Sequence, residues 1–246
     1  MANRRWMAGA ACGLVGILMG CQPQPSPGDP HLGAMPSANA KQPLSGFTVH
    51  LDGFHTMKDD PAHMLEAHHY CRQSSPDVME CVLFDGDGDR AHMTGVEYIV
   101  SEKVFETLPR AERAYWHPHN YEILSGQLVV PGVSVSAEKQ ALARKMNSYG
   151  KTWHTWRAGS STRAADPVPM GKPDLAWSFN ADGELPQALL DARDSHLRIS
   201  TPERRASRSD LLFTAHPQEG VDALASSFPD RKPVPGVADK SDDPYP

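Results

Sequence analysis

Proline crowds the two ends of this chain, and that crowding bounds what can fold. The stretch QPQPSPGDPHLGAMPSANAKQP, residues 22–43, carries six prolines and almost no bulky apolar side chain. A second stretch from His216, HPQEGVDALASSFPDRKPVPGVADKSDDPYP, is proline-rich and acidic. Proline gives no N–H to a ladder, and segments this poor in apolar surface do not offset their ordering entropy. Both are expected to be unstructured, residues 21–44 as a linker and 216–246 as a tail. The folded part is therefore placed at residues 45–215, about 170 residues, an ordinary size for one domain. Hydrophobic residues are 39% and charged residues 22% of the chain, enough for one core. The net charge is −6 and the Lys and Arg are scattered. Without a basic stripe, nucleic acid is not an expected partner. No glycine-rich phosphate loop follows a predicted strand and no GxSxG elbow is present, which argues against nucleotide binding and against that class of hydrolase.

The first twenty residues read as an address. Arg4 and Arg5 precede the apolar run WMAGAACGLVGILMG, which is too short to span a bilayer comfortably. The run ends in LMGC, which resembles the lipobox of bacterial lipoproteins. That resemblance implies that residues 1–20 are a signal peptide and that Cys21 is acylated; more than one acyl chain suffices for stable anchoring. Gln22 stands where an Asp would signal inner-membrane retention. The expected location is the bacterial cell envelope, on the outer membrane facing the periplasm.

Within 45–215 the patterning is mixed. GFTVHL, ECVLFD, MTGVEYIVS, KTWHTW and DLAWSFN alternate as strands do. DGDGD between the second and third predicts a hairpin turn. Asp59, Asp60 and Pro61 open DDPAHMLEAHHYC as a helix start, EKVFETLP predicts a short helix ended by Pro109, and ADGELPQALLDARD a last one. YEILSGQLVVPG reads as two short strands around Ser125-Gly126. In SAEKQALARKMNSYG, Ser136 is the expected cap and Gly150 the stop. Short turns between strands, with helices interspersed, predict an α+β domain with a largely antiparallel sheet.

Two short stretches concentrate the chemistry. EAHHYC (66–71) and WHPHNYE (116–122) hold four of the twelve histidines and one of the four cysteines. If the first is helical, His68 and Cys71 share a face; if it is a strand, His69 and Cys71 do. His117 and His119 point the same way on a strand, whereas Glu122 needs a turn to join them. We expect the two stretches to meet in one buried polar cluster: His68 or His69 with His117 or His119, supported by Glu122 or Glu97. His154, between two tryptophans, is the next candidate. Imidazole and carboxylate together suit a divalent metal such as zinc, iron, copper or manganese. The plainer interpretation is buried histidines hydrogen-bonded to backbone and carboxylates. Cys71 and Cys81 are either a disulfide, natural in an oxidising compartment, or two small buried thiols. Asp85, Asp87 and Asp89 are spaced like calcium ligands, but Arg90 and Val96 occupy the positions where such a loop needs Gly and Glu, so a solvated hairpin turn is expected.

HPHNYEILSGQL resembles the first motif of cupin barrels, with a shorter spacing from His119 to Glu122 and on to Gly126. A longer resemblance, from about Gly46 to Phe179, rests on EAHHYC, VEYIVSEKVFETLP, WHPHNYEILSGQLVVPGV and YGKTWHTW in that order. These blocks resemble the plant oil body-associated protein family. Matching positions include His50, His55, Glu66, His68, His69, Cys71, Cys81, Glu97, Tyr98, Ser101, Glu102, His117, His119, Tyr121, Glu122, Gly126, Gly150 and His154. The resemblance implies lipid-body association in the plant members and adds His55 to the pocket candidates; it implies no reaction. Two functional classes follow: a lipid-anchored envelope protein whose domain binds an apolar ligand or another envelope component, and a metal-dependent enzyme with a His/Glu site.

Overall fold

The structure, a computed structural model, describes residues 43–157, 159 and 164–240. The lipobox with Cys21, nearly all of the linker and residues 241–246 lie outside the described residues. A short 3-10 turn at Pro43–Gly46 leads into β1 (Val49–Met57), β2 (Asp60–Ser75), β3 (Val78–Phe84) and β4 (Met93–Val100). These four form successive antiparallel hairpins. Next come α1 (Glu102–Phe105), α2 (Arg110–Arg113), β5 (His117–Pro118), α3 (Asn120–Ser125), α4 (Val135–Ala143), β6 (Tyr149–His154) and β7 (Asp174–Trp177). The chain ends with α5 (Gln187–Leu197), α6 (Thr201–Ser207) and two further 3-10 turns.

Strand β6 closes the sheet. It pairs with β4 along one edge, from Gly95↔His154 to Val100↔Tyr149, and with β7 along the other. β7 then meets β1 through Thr56↔Trp177 and Met57↔Ala176. The result is a six-stranded antiparallel barrel, β1-β2-β3-β4-β6-β7, with the two-residue β5 added beside β6. Among the described residues, closure leaves no long unpaired edge. The α+β class and the antiparallel sheet are as the sequence predicts.

Period-two alternation sorts the side chains strictly. Register aligns Leu51 with His69, His69 with Leu83, Cys71 with Cys81, and Cys81 with Glu97. Glu97 in turn pairs with Thr152, and Gly95 with His154. Leu51, Gly53 and His55 of β1, Leu65 to Cys71 of β2, Met79 to Leu83 of β3 and Gly95 to Ile99 of β4, at odd positions, and the even-numbered residues of β6 therefore face the interior; a register shift at Leu83/Phe84 leaves Met93 outside. Leu51, Cys71, Met79, Cys81, Leu83 and Ile99 pack there with Ile123, Leu128 and Leu142. Cys71 and Cys81 are joined by a disulfide across β2 and β3.

Four local expectations are corrected. Residues 60–75 form one long strand, not a helix: pairing with β1 on one side and β3 on the other outweighs the Asp-Asp-Pro start signal. Residues 120–125 are helical rather than extended, and Gly126, at φ 82°, is the left-handed cap that ends the turn. α4 is capped by Ser134, whose hydroxyl accepts from Ala137 N at 3.3 Å, not by Ser136. Gly150 lies within β6 and ends no helix.

The expected unstructured tail is also corrected, through Lys240. Val221, Leu224, Val234 and Val237 are buried. Three of them pack with Phe54, Tyr121, Phe179 and Leu185 on the outside of the barrel. Gln218 accepts from Asn120 N at 3.0 Å, donates to Ser148 O at 3.0 Å, and bridges to Asp239. The apolar residues here are too sparse to show a period, yet the barrel supplies a surface for each. Burying one valine or leucine contributes about 1.5–3 kcal/mol, so losing four threatens a typical domain stability of about 5–15 kcal/mol. Truncation after Ala215 should therefore give a destabilised or insoluble product, and limited proteolysis of the full chain should leave residues 216–240 attached. Mass spectrometry of the resistant fragment checks this; a resistant core ending near residue 215 would contradict it.

Candidate metal centre

The barrel interior carries an unusual load of ionisable groups. His55 on β1, His69 on β2, Glu97 on β4, His117 on β5 and His154 on β6 are all buried, joined by His119 and Glu122 at the start of α3. Glu97 is the hub. Its Oε2 lies 2.8 Å from His69 Nε2; its Oε1 lies 3.3 Å from His119 Nε2 and 3.5 Å from His117 Nε2. His117 Nε2 and His119 Nε2 are themselves 3.2 Å apart. His55 Nδ1 and His154 Nε2 are 3.0 Å apart, and Glu122 Oε2 stands 4.0 Å from His119 Nε2.

Each position has a local cause. His69, Glu97 and His154 face inward by strand parity. His117 and His119 converge although they do not share a strand: His117 extends from β5, and His119 is the N-cap of α3. One helical turn then brings Glu122 back beside His119, which supplies the turn the sequence required. Gly150 makes the convergence feasible. A Cβ there would lie 2.2 Å from Glu97 Oε1 and 2.6 Å from the Nε2 atoms of both His117 and His119. Partners outside the cluster hold two of the groups. Ser148 Oγ is 2.9 Å from His119 Nδ1, and the Ala67 carbonyl is 3.0 Å from His69 Nδ1.

Electrostatics favour a cation at the hub. Burial, with neighbouring imidazoles adding, pushes His117 down to about 4 and His154 to about 3, and takes His55 well below its ordinary value. These rings are neutral at neutral pH, the form that ligates metal. Burial alone would raise Glu97, but the electrostatic attraction of His69 and hydrogen bonds from His117, His119 and His69 carry it well below the usual carboxylate range. Burial and the Glu97 charge push Glu122 well above it. One carboxyl held low and one held high thus sit together among buried imidazoles. In each of two overlapping sets, His55–Glu97–His117 and His117–His119–Glu122, the three ligand atoms lie within 4.8 Å of one another, close enough to hold an ion. The cavity among them is about 10 Å³, room for one water or ion and not for an organic substrate.

His68 does not join this centre. Its parity places it on the outer surface of the barrel, where it meets Asp52 and Glu66. Sequence reasoning missed Asp52, Ser148 and Thr152, buried polar residues that lie outside the two histidine-rich stretches. For Thr152, the alternation of KTWHTW, with His154 inward, was the available signal.

A closed antiparallel barrel with a histidine–carboxylate core is the class that fold and site define. The family described as "Protein of unknown function (DUF1264)" matches residues 41–212. The chain is 38% identical over 185 residues to oil body-associated protein 1A of Zea mays, covering 75% of each chain. It is 32% identical over 184 residues to oil body-associated protein 1B of Arabidopsis thaliana, covering 75% of this chain and 73% of that one. With oil body-associated protein 2A of Arabidopsis thaliana it shares 35% identity over 174 residues, 70% and 68% of the two chains. No solved structure matches. This chain belongs to the oil body-associated protein family.

The neutral histidines set a pH dependence. In the unfolded chain they titrate near 6.5, in the folded chain at about 4 for His117 and about 3 for His154. Between those values the unfolded state binds more protons, so stability falls as pH falls through that window and is unaffected by these groups above it. Urea midpoints followed by circular dichroism in chelator should decline steadily from pH 7 to pH 4.5. A flat profile would mean that the rings are not held neutral.

Proposed function

We propose that this chain is a metal-binding domain carried on an envelope anchor, with one divalent transition ion held by Glu97, His117 and His119. The single observation that carries the reading is a triangle. Glu97 Oε1, His117 Nε2 and His119 Nε2 are separated by 3.2, 3.3 and 3.5 Å. Tetrahedral zinc with bonds of about 2.0–2.1 Å sets its ligand atoms about 3.3–3.4 Å apart. His55 or water takes the fourth position, and His69 and Ser148 orient Glu97 and His119 from behind, as outer partners of metal ligands do. The small cavity favours storage, a structural ion or chemistry on a diatomic-sized ligand over turnover of an organic substrate.

Purified protein should carry an ion of zinc, iron, copper or manganese that Glu97→Gln or His117→Ala loses. Elemental analysis with circular dichroism as a folding control reads this directly. A folded protein that carries and takes up no such ion at this centre overturns the reading.

The envelope part of the proposal is supported by LMGC and by the Cys71–Cys81 disulfide, a bond that persists in oxidising compartments. The anchor of this reading is the acylated Cys21; among the described residues no helix is long and apolar enough to cross a membrane. A clickable fatty acid should label the wild type and not Cys21→Ser; an unlabelled wild type refutes the anchor.

A second reading, an apolar-ligand binder, is favoured by a hollow of about 390 Å³ on the outside of the sheet, lined by Leu44, Phe47, Val82, Phe84 and Met93. Saturable binding of a fluorescent fatty acid, weakened by Phe84→Asp, is the expected behaviour; non-saturable partitioning would discard it.

A further inference from the structure

The barrel wall has a second cluster on its other side, independent of the core centre. Asp52 on β1 is the register partner of His68 on β2, and Glu66 lies two residues before His68 on the same outward face. Asp52 is fully buried. Its Oδ1 accepts from Arg193 Nη1 at 2.9 Å. No donor of the protein is bonded to its Oδ2 or to the buried Oε1 of Glu66, although the two carboxyls lie close enough to share a proton between them. Both unsatisfied oxygens face His68, with Asp52 Oδ2 3.3 Å from its Nδ1 and Glu66 Oε1 3.5 Å from its Nε2. One ligand atom from each of the three residues lies within 4.8 Å of the others.

Charge points the same way. Two carboxyls stand against the one guanidinium of Arg193, so that both ionised they would leave an excess of negative charge under the surface. Burial raises both carboxyls; Glu66 adds to the rise at Asp52, the hydrogen bond from Asp52 opposes it at Glu66, and Arg193 opposes it at both. Such a pair either shares a proton or takes a cation. Unlike the core centre, this one opens to solvent. A hollow of about 680 Å³ begins at Glu66 and His68 and is walled by Asp85, Asp87, Asp89 and His196. The DGDGD turn, which cannot form a calcium loop, thus presents its acidic residues toward the mouth of the cluster.

We propose that Asp52, Glu66 and His68 form a second divalent-cation site, reached through this hollow and leaving coordination positions open to water or a further ligand. Two carboxylates with one imidazole suit manganese or zinc; calcium and magnesium sites are built from oxygen alone. The open face and the large hollow make it the better placed of the two centres to present an ion to an outside molecule.

Manganese titration of the chelator-stripped full-length chain tests the site, with free Mn²⁺ read by electron paramagnetic resonance and folding by circular dichroism. Glu66 is partly exposed, so Glu66→Gln spares the fold, and His68→Gln is the second variant. The expected result is one ion fewer in each variant, or a loss in affinity beyond the roughly 10–100-fold of an outer-shell change, with the Glu97→Gln deficit additive to it. Nitrogen hyperfine coupling from the outer ion should vanish in His68→Gln. A binding count that Glu97→Gln lowers and Glu66→Gln leaves untouched overturns this site and keeps the core centre. The reverse pattern supports this site and removes the core reading. No bound ion in any variant overturns both, and Asp52 and Glu66 then share a proton.

Discussion

Glu97 is the group on which the interior depends. An ionised carboxylate cut off from water is expensive unless charges and donors replace its hydration. Here both oxygens are met by imidazole nitrogens, from β2, β5 and the start of α3. The barrel can therefore tolerate a polar centre only if four separate segments arrive in register. The same requirement explains why Gly150 sits opposite Ile99 with no side chain, and why Ser148 supports His119 from the turn before β6. A cation among these donors would convert a costly polar core into a reason for the fold.

Parity turns two strands into two sites. β1 and β2 contribute His55 and His69 inward, and Asp52, Glu66 and His68 outward. Because the side-chain period is two, a slip of one residue would exchange the faces and destroy both clusters at once. The Cys71–Cys81 bond between register partners ties β2 to β3 against that slip. The outer face is buried by later chain. Arg193 of α5 reaches Asp52 and the Gln127 carbonyl. Arg208 donates to the carbonyls of Ile123 and Leu128, and is paired with Glu138. These buried guanidiniums fasten α3, α4 and the end of the chain to the barrel, and position the helix that carries His119 and Glu122.

Membership of the oil body-associated protein family gives this chain plant relatives named for oil bodies. The barrel core is indifferent to that setting. Its seven-residue polar cluster lies inside the wall, whereas the apolar hollow near Phe47 and Phe84 lies outside it.

By itself the sequence determined much of this. Alternation in MTGVEYIVS and KTWHTW specified strands, and the two histidine stretches hold His69, His117, His119 and Glu122 of the core centre. Strand parity was legible too, since a strand at EAHHYC selects His69 with Cys71 over His68. What it could not decide was whether that stretch is a strand. Asp59, Asp60 and Pro61 carry a strong local helix start, and only pairing with β1 and β3 outweighs it. It could not show that YEILSG is a helical turn delivering Glu122, nor that His216–Lys240 is ordered. Those outcomes are set by surfaces distant in the chain, and a local pattern holds no record of them. Asp52, buried against Arg193 141 residues away, shows the limit most plainly: a partner at that separation leaves no periodicity, and only closure of the barrel and docking of α5 bring the two charges together.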